Sequence, residues 1–362
     1  MEYVSLLFCP VPLGILSYSV FTKAGFCTIL VTIFIFYIPF LKRRHSVACL
    51  SVFIYASLPM AIMFLIGYLL DKHFSLDVRT YDIVTRYAVM PLFIFLSLYR
   101  HIPSHVTLIP AAFAGILCLS GLLGWLLQKI LPEEGTIRDF ISPFMLSDTE
   151  LTGVVFLILV FSHVPYFTGM GNPKTFIIPF VSVASLLLLT SMIIHSILLA
   201  GRRTHSLTEM IRAFFSVPSL YTAVAAVLLR SFNIPLEHSF LWPVLLHYDG
   251  VFVILTCIMT GIWFHKSYSP EFKWAPALLM LVRFVLILGI SYAVIHFSGI
   301  FSPAESQVLF IAASIPAVIA LTDHGTSTGI NPTAAFIQPS LIIYLLGCPL
   351  AAVLARVLFP VI

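Results

Sequence analysis

The sequence contains very little charge. Asp, Glu, Lys and Arg make up only 9% of its 362 residues, against about 25% in an ordinary soluble domain, whereas 60% of the residues are apolar. A water-soluble fold cannot hide that much apolar surface. The composition therefore excludes a soluble enzyme, a nucleic-acid-binding protein and a disordered chain, and it predicts an all-α polytopic membrane protein.

Cysteine is sparse and scattered. The six cysteines lie in or beside apolar segments, and they form neither a Cys-x-x-Cys pair nor a cluster with histidine that zinc would favour. We interpret them as small buried side chains. The sequence accordingly predicts no metal site and no cofactor.

Long polar stretches are also missing. The longest, residues 132–150, is too short for a folded domain outside the membrane, so any function is expected to lie within the bilayer. The N-terminus has neither a basic start nor an Ala-x-Ala-type cleavage site. We therefore expect residues 1–45 to form a hydrophobic extension of one helix or a hairpin.

The chain is instead rich in apolar runs that approach the roughly 20 residues needed to span a bilayer. After the extension there are ten such runs. They cover residues 49–70, 82–99, 106–131, 151–171, 175–200, 207–230, 239–264, 275–298, 305–323 and 333–358. The sequence thus predicts ten core transmembrane helices.

The ten runs divide into two similar sets of five, residues 46–200 and 201–362. His73-Phe74-Ser75-Leu76-Asp77 follows the first run as Ser231-Phe232-Asn233-Ile234-Pro235 follows the sixth, and each set carries a proline in its fourth run. Because five is an odd number, the second set must enter the membrane from the opposite side. This pattern predicts two inverted five-helix repeats, an arrangement typical of secondary transporters.

The two matching prolines, Pro165 and Pro316, mark the candidate site. Each removes a backbone donor and leaves polar groups at bilayer depth, which are tolerated where they line a cavity. We predict that the fourth and ninth helices are broken and cross, so that half-helix N-termini face an anion. Two ordinary proline kinks are the alternative. The candidate substrate-binding residues are Ser162, His163, Pro165, Tyr166, Ser314 and Pro316.

Asp249 is the clearest ionisable residue inside a run. A carboxylate at that depth is costly and often marks an ion or proton path, so we assign Asp249 and its neighbour His247 to ion coupling. A structural hydrogen bond near the interface is the alternative. The Gly-x-Ser-x-Gly string at residues 325–329 joins two spans and lacks the strand-to-helix context of a hydrolase, so we predict that the protein is not an enzyme.

Short motifs follow one another in a particular order along residues 49–360. They are Gly67-Tyr68-Leu69-Leu70, Tyr87-Ala88-Val89-Met90-Pro91-Leu92-Phe93-Ile94-Phe95, Phe215-Ser216-Val217-Pro218-Ser219-Leu220, Phe232-Asn233-Ile234-Pro235, Ile258-Met259-Thr260-Gly261, Ser314-Ile315-Pro316-Ala317, Asp323-His324-Gly325, Asn331-Pro332 and Ser340. Their order and spacing resemble the auxin efflux carrier family of the bile-acid, arsenite and riboflavin transporter superfamily.

This resemblance implies a ten-helix fold of two inverted repeats, with a scaffold domain and a transport domain that contains the crossed fourth and ninth helices. It also implies an organic-anion substrate, such as an auxin-like or dicarboxylate acid. The chain departs from the family at both crossovers. The family usually has an asparagine there, whereas this sequence has Ser162 and His163 at the first and Ile319 and Ala320 after the second proline.

The sequence as a whole predicts a secondary transporter that moves a small organic anion across the cell membrane by alternating access, with proton or sodium coupling. The expected partners are that anion and the lipid bilayer, not nucleic acid, and a homodimer is left open. Two other functions also stay open. One is an intramembrane enzyme that uses Asp249, His247 or His163, and the other is a non-transporting receptor or scaffold built on a transporter fold.

Overall fold

A computed structural model describes residues 43–130, 147, 152–163, 165–166, 173–204, 206–240, 242–245, 247–267, 274–316 and 336–360. Every regular element in these ranges is helical. Helix α1 comprises Arg43–Val52 and Leu58–Phe74, joined by a π-helical turn at Phe53–Ser57. Helix α2 comprises Val78–Val84 and Met90–Arg100, joined in the same way at Thr85–Val89.

The other helices follow in chain order. They are α3 (Leu108–Ile130), α4 (Thr152–Ser162), α5 (Pro173–Thr204), α6 (Leu207–Phe215 and Pro218–Ser231), α7 (Tyr248–Ser267), α8 (Trp274–Ser298), α9 (Pro303–Ser314) and α10 (Ile337–Leu358). A 3₁₀ turn at Leu236–His238 and a short helix at Trp242–Leu245 connect α6 to α7.

Five helices in the described ranges are long and apolar enough to cross a membrane. They are Val47–Phe74, Leu108–Leu126, Phe176–Leu198, Pro276–Ser298 and Ile337–Leu358. The two segments of α6 qualify together, with a bend of 50° between them, and α4 and Gly250–Lys266 of α7 are shorter apolar helices. The prediction of a helical membrane protein is confirmed at this level.

The helices extend beyond several of the apolar runs from which they were predicted. Helix α1 begins at Arg43, and α5 continues to Thr204, past the predicted repeat boundary at 200/201. A helix makes its backbone hydrogen bonds internally, so it continues into polar residues after its apolar part has ended. The predicted N-terminal extension lies outside the described residues, apart from the start of α1.

Helices α1 and α7 pack very closely because each has a glycine at the contact. A Cβ atom built on Gly67 would lie 2.1 Å from the carbonyl oxygen of Ile258, and one built on Gly261 would lie 2.0 Å from that of Phe64. Any larger residue would force the two backbones apart, since small residues are what permit such an approach between membrane helices.

A buried carboxylate lies at the end of the α1–α7 pair. The side chain of Asp71 is 2% exposed, and its oxygens lie 2.6 Å from Nδ1 of His265 and 3.5 Å from Nζ of Lys266. It also accepts the backbone N–H of Leu76 at 2.9 Å. These contacts satisfy the carboxylate and fix the turn after α1 against α7.

Helices α2 and α6 form a second pair, and its end is fixed by Tyr99. The Tyr99 hydroxyl accepts the N–H of Leu236 and lies 2.8 Å from both the Ile234 carbonyl and the Glu237 carboxylate. The backbone N–H of Glu237 and then the Tyr99 hydroxyl lower the pKa of the Glu237 carboxyl from its usual value. The connection after α6 is thus tied to α2 as the turn after α1 is tied to α7.

Candidate functional site

Helix α4 ends at Ser162, three residues before Pro165, and nearby side chains satisfy its last carbonyls. Proline has no N–H, so the helix cannot continue its hydrogen-bond ladder there. The Ser162 hydroxyl donates to the Ile158 carbonyl at 2.6 Å, and Nδ1 of His163 lies 2.9 Å from the Leu159 carbonyl. The backbone N–H of His163 bonds instead to Val160, at 3.5 Å. Both half-buried polar side chains therefore close the helix end.

Helix α9 ends in the same way beside Pro316. A helical residue at position 316 would donate its N–H to the Ala312 carbonyl, and proline cannot. The hydroxyl of Ser147, which lies before α4 in the chain, donates to the carbonyls of Ala312 at 2.9 Å and Ile315 at 3.1 Å. The fully buried Ser314 donates to Ile311 at 2.7 Å. A residue from one half of the chain thus satisfies the carbonyls at the end of a helix in the other half.

The two helix ends lie in the packed interior. Helices α4 and α9 contact each other, and both pack against α5. The ring of His163 stacks on Tyr55 of α1, with centroids 5.5 Å apart and planes 5° apart. The Tyr166 hydroxyl donates to the carbonyl of Ala352 in α10. The first break is therefore held between α1 and α10.

Arg283 is a charged residue in this interior that the sequence reasoning missed. It lies in α8, its exposure is 0%, and it is the largest fully buried side chain among the described residues. Helix α8 packs against α10, which carries Cys348. Cys348 is one helical turn, about 6 Å, from the Ala352 carbonyl that Tyr166 contacts. The signal was present in the sequence, because Arg283 interrupts the apolar run 275–298.

The residues predicted for ion coupling lie at the start of α7. His247 is exposed, and its ring lies 2.9 Å from the carbonyl of Pro243 in the preceding turn. The structure places the Asp249 backbone in α7, and its side chain lies outside what is described. Their role in coupling stays a prediction.

The described residues contain no group of three or more His, Cys, Asp or Glu side chains that could hold a metal ion. The chemistry gathered at the helix ends consists of backbone carbonyls, hydroxyls, one imidazole and one phenol. Groups of this kind can bind ligands through hydrogen bonds, and the guanidinium of Arg283 is a buried positive charge on α8.

The fold and site define an α-helical membrane protein in which two apolar helices, α4 and α9, end in the interior beside prolines. No family model matches the sequence, and no curated protein matches it either. The resemblance to the auxin efflux carrier family therefore rests on the motifs given above, and it stays a prediction.

Proposed function

We propose that this protein is a multi-pass cell-membrane transporter of the auxin efflux carrier type, which moves a small organic anion by alternating access. The observation that carries the proposal is the pair of apolar helices that end in the buried core beside Pro165 and Pro316. Backbone N–H and C=O groups that lack helical partners are costly at membrane depth unless they are buried in protein or line a polar cavity. Interrupted helices of this kind form the binding sites of many secondary transporters.

A twofold relation between the halves supports the inverted-repeat part of the proposal. Ser75 and Asn233, which the motif comparison aligns, have φ of 45° and 54° and are the two non-glycine residues with positive φ in the described ranges. Both follow the end of a helix. Such a backbone is uncommon outside glycine, and asparagine tolerates it better than most residues. Its occurrence at two aligned positions supports a shared ancestry of the halves.

Helix packing supports the same relation. Suppose that α1 to α5 correspond in order to α6 to α10. Exchanging the halves then turns the contact between α1 and α7 into the contact between α6 and α2. These are the two most extensive helix pairs among the described helices. The same rule relates α3–α5 to α8–α10, α4–α5 to α9–α10 and α1–α10 to α5–α6. Phe93 of α2 and Phe252 of α7 correspond within one residue, and their rings stack with centroids 4.1 Å apart. The packing departs from the relation at α5, which also contacts α2 and α9. It departs again at α8–α9, α3–α9, α4–α7 and α1–α4, whose counterparts are not among the extensive contacts of the described helices.

The packing also suggests how the protein moves. The pairs α1–α7 and α2–α6 form a scaffold in this proposal, whereas α3, α4, α5, α8, α9 and α10 form the unit that carries both helix ends. The scaffold meets this unit through α1–α10, α1–α4, α4–α7, α2–α5 and α5–α6. Alternating access would then be a movement of one unit against the other around the site.

Charge supports an anionic substrate and a cationic coupling ion. The described ends of α4 and α9 are C-terminal ends, whose carbonyl dipoles favour a proton or sodium ion. They do not favour an anion. The buried guanidinium of Arg283 is the positive group that offsets a substrate carboxylate, since ionisable residues inside membrane-spanning helices are rare and often mark substrate or ion paths. In this proposal Ser162, His163, Tyr166 and Ser314 surround the substrate between them.

The proposal is tested by uptake into proteoliposomes that contain the purified full-length protein. Labelled aromatic and dicarboxylic acids are offered with a proton gradient, a sodium gradient or no gradient. We expect one class of acid to accumulate with one gradient. If folded protein transports none of them, the transporter proposal is wrong. Binding without transport would then favour a receptor, and chemical conversion of the ligand would favour an enzyme.

Single substitutions test the roles proposed for His163, Asp249 and Arg283 in transport. We expect His163→Ala to lower uptake without loss of folded protein, and Asp249→Asn to remove the pH dependence of transport. Arg283→Lys keeps the charge and Arg283→Gln removes it, so only the second should abolish anion uptake. Arg212→Gln is the matched control, because the Arg212 side chain in α6 is 79% exposed. Unchanged kinetics in Arg283→Gln would remove Arg283 from the site.

A further inference from the structure

An apolar cavity lies where α1, α7 and α10 meet. Its volume is about 350 Å³, within the roughly 300–1,000 Å³ of typical ligand sites. Its walls include Ala61, Leu65 and Tyr68 of α1, Phe264 of α7 and Leu345 of α10. The cavity is separate from the ends of α4 and α9, since none of its lining residues belongs to those helices.

The wall of the cavity offers little to a polar ligand. The hydroxyl of Thr260, one of the polar residues that line it, donates to the Thr256 carbonyl within α7 at 2.8 Å. Gly261, where α1 and α7 cross, contributes no side chain. An occupant is therefore held by apolar contact along most of its length.

The cavity opens to the outer surface of the helices. Leu65 lines it and is nevertheless 56% exposed. Elsewhere on the same two helices, Leu69 of α1 and Leu346 of α10 are 43% and 62% exposed. Because α1 and α10 are membrane-spanning helices, these side chains face lipid hydrocarbon. Acyl chains are the apolar molecules that surround the opening.

A positive charge lies beyond one end of the cavity, on the same face of α1. Lys72 is four residues after Tyr68, and residues spaced by three or four share a helix face. Lys72 is exposed, whereas the neighbouring Asp71 carboxylate is buried and engaged by His265 and Lys266. A lysine at the end of a spanning helix extends toward the headgroups, and basic residues there attract anionic lipids.

We propose that the cavity binds one acyl chain of an anionic phospholipid whose phosphate contacts Lys72. The chain occupies the groove between α1, α7 and α10, and the headgroup lies at the level of the end of α1. Such a lipid would hold α10 against the α1–α7 pair. The site does not depend on whether the protein transports anything.

Native mass spectrometry of the detergent-purified full-length protein tests this site. Phosphatidylglycerol and phosphatidylcholine with the same acyl chains are titrated separately, and inorganic phosphate is titrated as a third ligand. We expect phosphatidylglycerol to bind about fivefold more tightly than phosphatidylcholine, the effect of one lysine near an anionic headgroup. We expect no binding of inorganic phosphate. Equal affinity for both lipids, or saturable binding of inorganic phosphate, would overturn the proposal.

Two variants separate the chain from the headgroup. Ala61→Phe fills the cavity and should weaken binding of both lipids about tenfold, the loss expected when roughly two methylenes leave it. Lys72→Gln should remove only the preference for phosphatidylglycerol. If Ala61→Phe does not fold, Leu345→Phe fills the cavity from α10.

Two control variants make the same kinds of substitution outside the lipid site. Ile62→Phe adds a ring to the 51%-exposed neighbour of Ala61, and Arg212→Gln removes a charge from α6. Both should bind lipid as the unmodified protein does. Wild-type lipid binding by both cavity-filling variants would place the acyl chain elsewhere. A dimer that is lost only in those variants would assign the cavity to a second copy of the chain.

Discussion

The close contact between α1 and α7 predicts a strong effect of adding a single methyl group. The Cβ of Gly67→Ala would lie 2.1 Å from the carbonyl oxygen of Ile258 and 2.9 Å from its carbon, and the Cβ of Gly261→Ala would lie 2.0 Å from the Phe64 oxygen. These neighbours are backbone atoms and cannot rotate away. The two helices must therefore separate by about 1 Å, which loosens the packing along the whole pair.

The expected cost follows from overpacking in a core, which typically destabilises by about 1–3 kcal/mol. We expect each variant to lower the Tm of the purified protein in detergent, by roughly 2–4 °C for each kcal/mol lost. The double variant should cost less than the sum of the two, because one separation of the helices relieves both clashes.

Two other helical glycines provide matched controls. A Cβ added at Gly115 of α3 or Gly289 of α8 has no atom within 4 Å. Alanine favours a helix over glycine by about 1 kcal/mol, so these variants should be as stable as the unmodified protein or more stable. If Gly67→Ala and Gly261→Ala melt at the same temperature as the controls, the close approach of α1 and α7 is wrong.

Three further predictions concern polar groups. Asp71→Ala leaves Leu76 N–H and the basic residues of α7 without their acceptor and should cost about 1–3 kcal/mol, whereas Arg212→Gln, at a 79%-exposed side chain, should change the Tm little. Ser147→Ala removes the donor to two buried carbonyls of α9 and should lower the Tm by a similar amount. Burial, and then Arg230, lower the pKa of His101, which lies between α2 and α3. The unfolded chain therefore takes up this proton more readily than the folded protein does. The free energy of unfolding should decrease as the pH is lowered below about 6.5, and His101→Asn should make that decrease smaller.

Each of these predictions has a result that would contradict it. Equal melting of Asp71→Ala and Arg212→Gln would mean that the buried carboxylate contributes nothing. A Ser147→Ala protein with unchanged melting would show that another donor serves the end of α9. An unchanged stability profile between pH 7 and 5 in His101→Asn would mean that His101 is as easily protonated in the folded protein as in the unfolded chain.

Hydropathy alone located most of the helices. Each of the ten predicted apolar runs contains helix in the described ranges, because apolar residues enter a membrane only when their backbone bonds are satisfied internally. Pro165 and Pro316 likewise indicated where α4 and α9 end, since a missing N–H acts locally. The αL positions after α1 and α6 fall within the motifs that suggested a repeat.

Only the tertiary structure decided which polar residues are buried together. In the sequence, Asp71 looks like an ordinary polar residue at the end of a helix. In the structure it is buried, because Gly67 and Gly261 bring α7 against α1. Arg283 is visible as a charge in an apolar run, but its complete burial depends on the packing of α3, α9 and α10 around α8. The sequence determined the positions of the helices because hydropathy and proline act over a few residues. The tertiary structure determined the contents of the interior because contacts between helices join residues far apart in the chain.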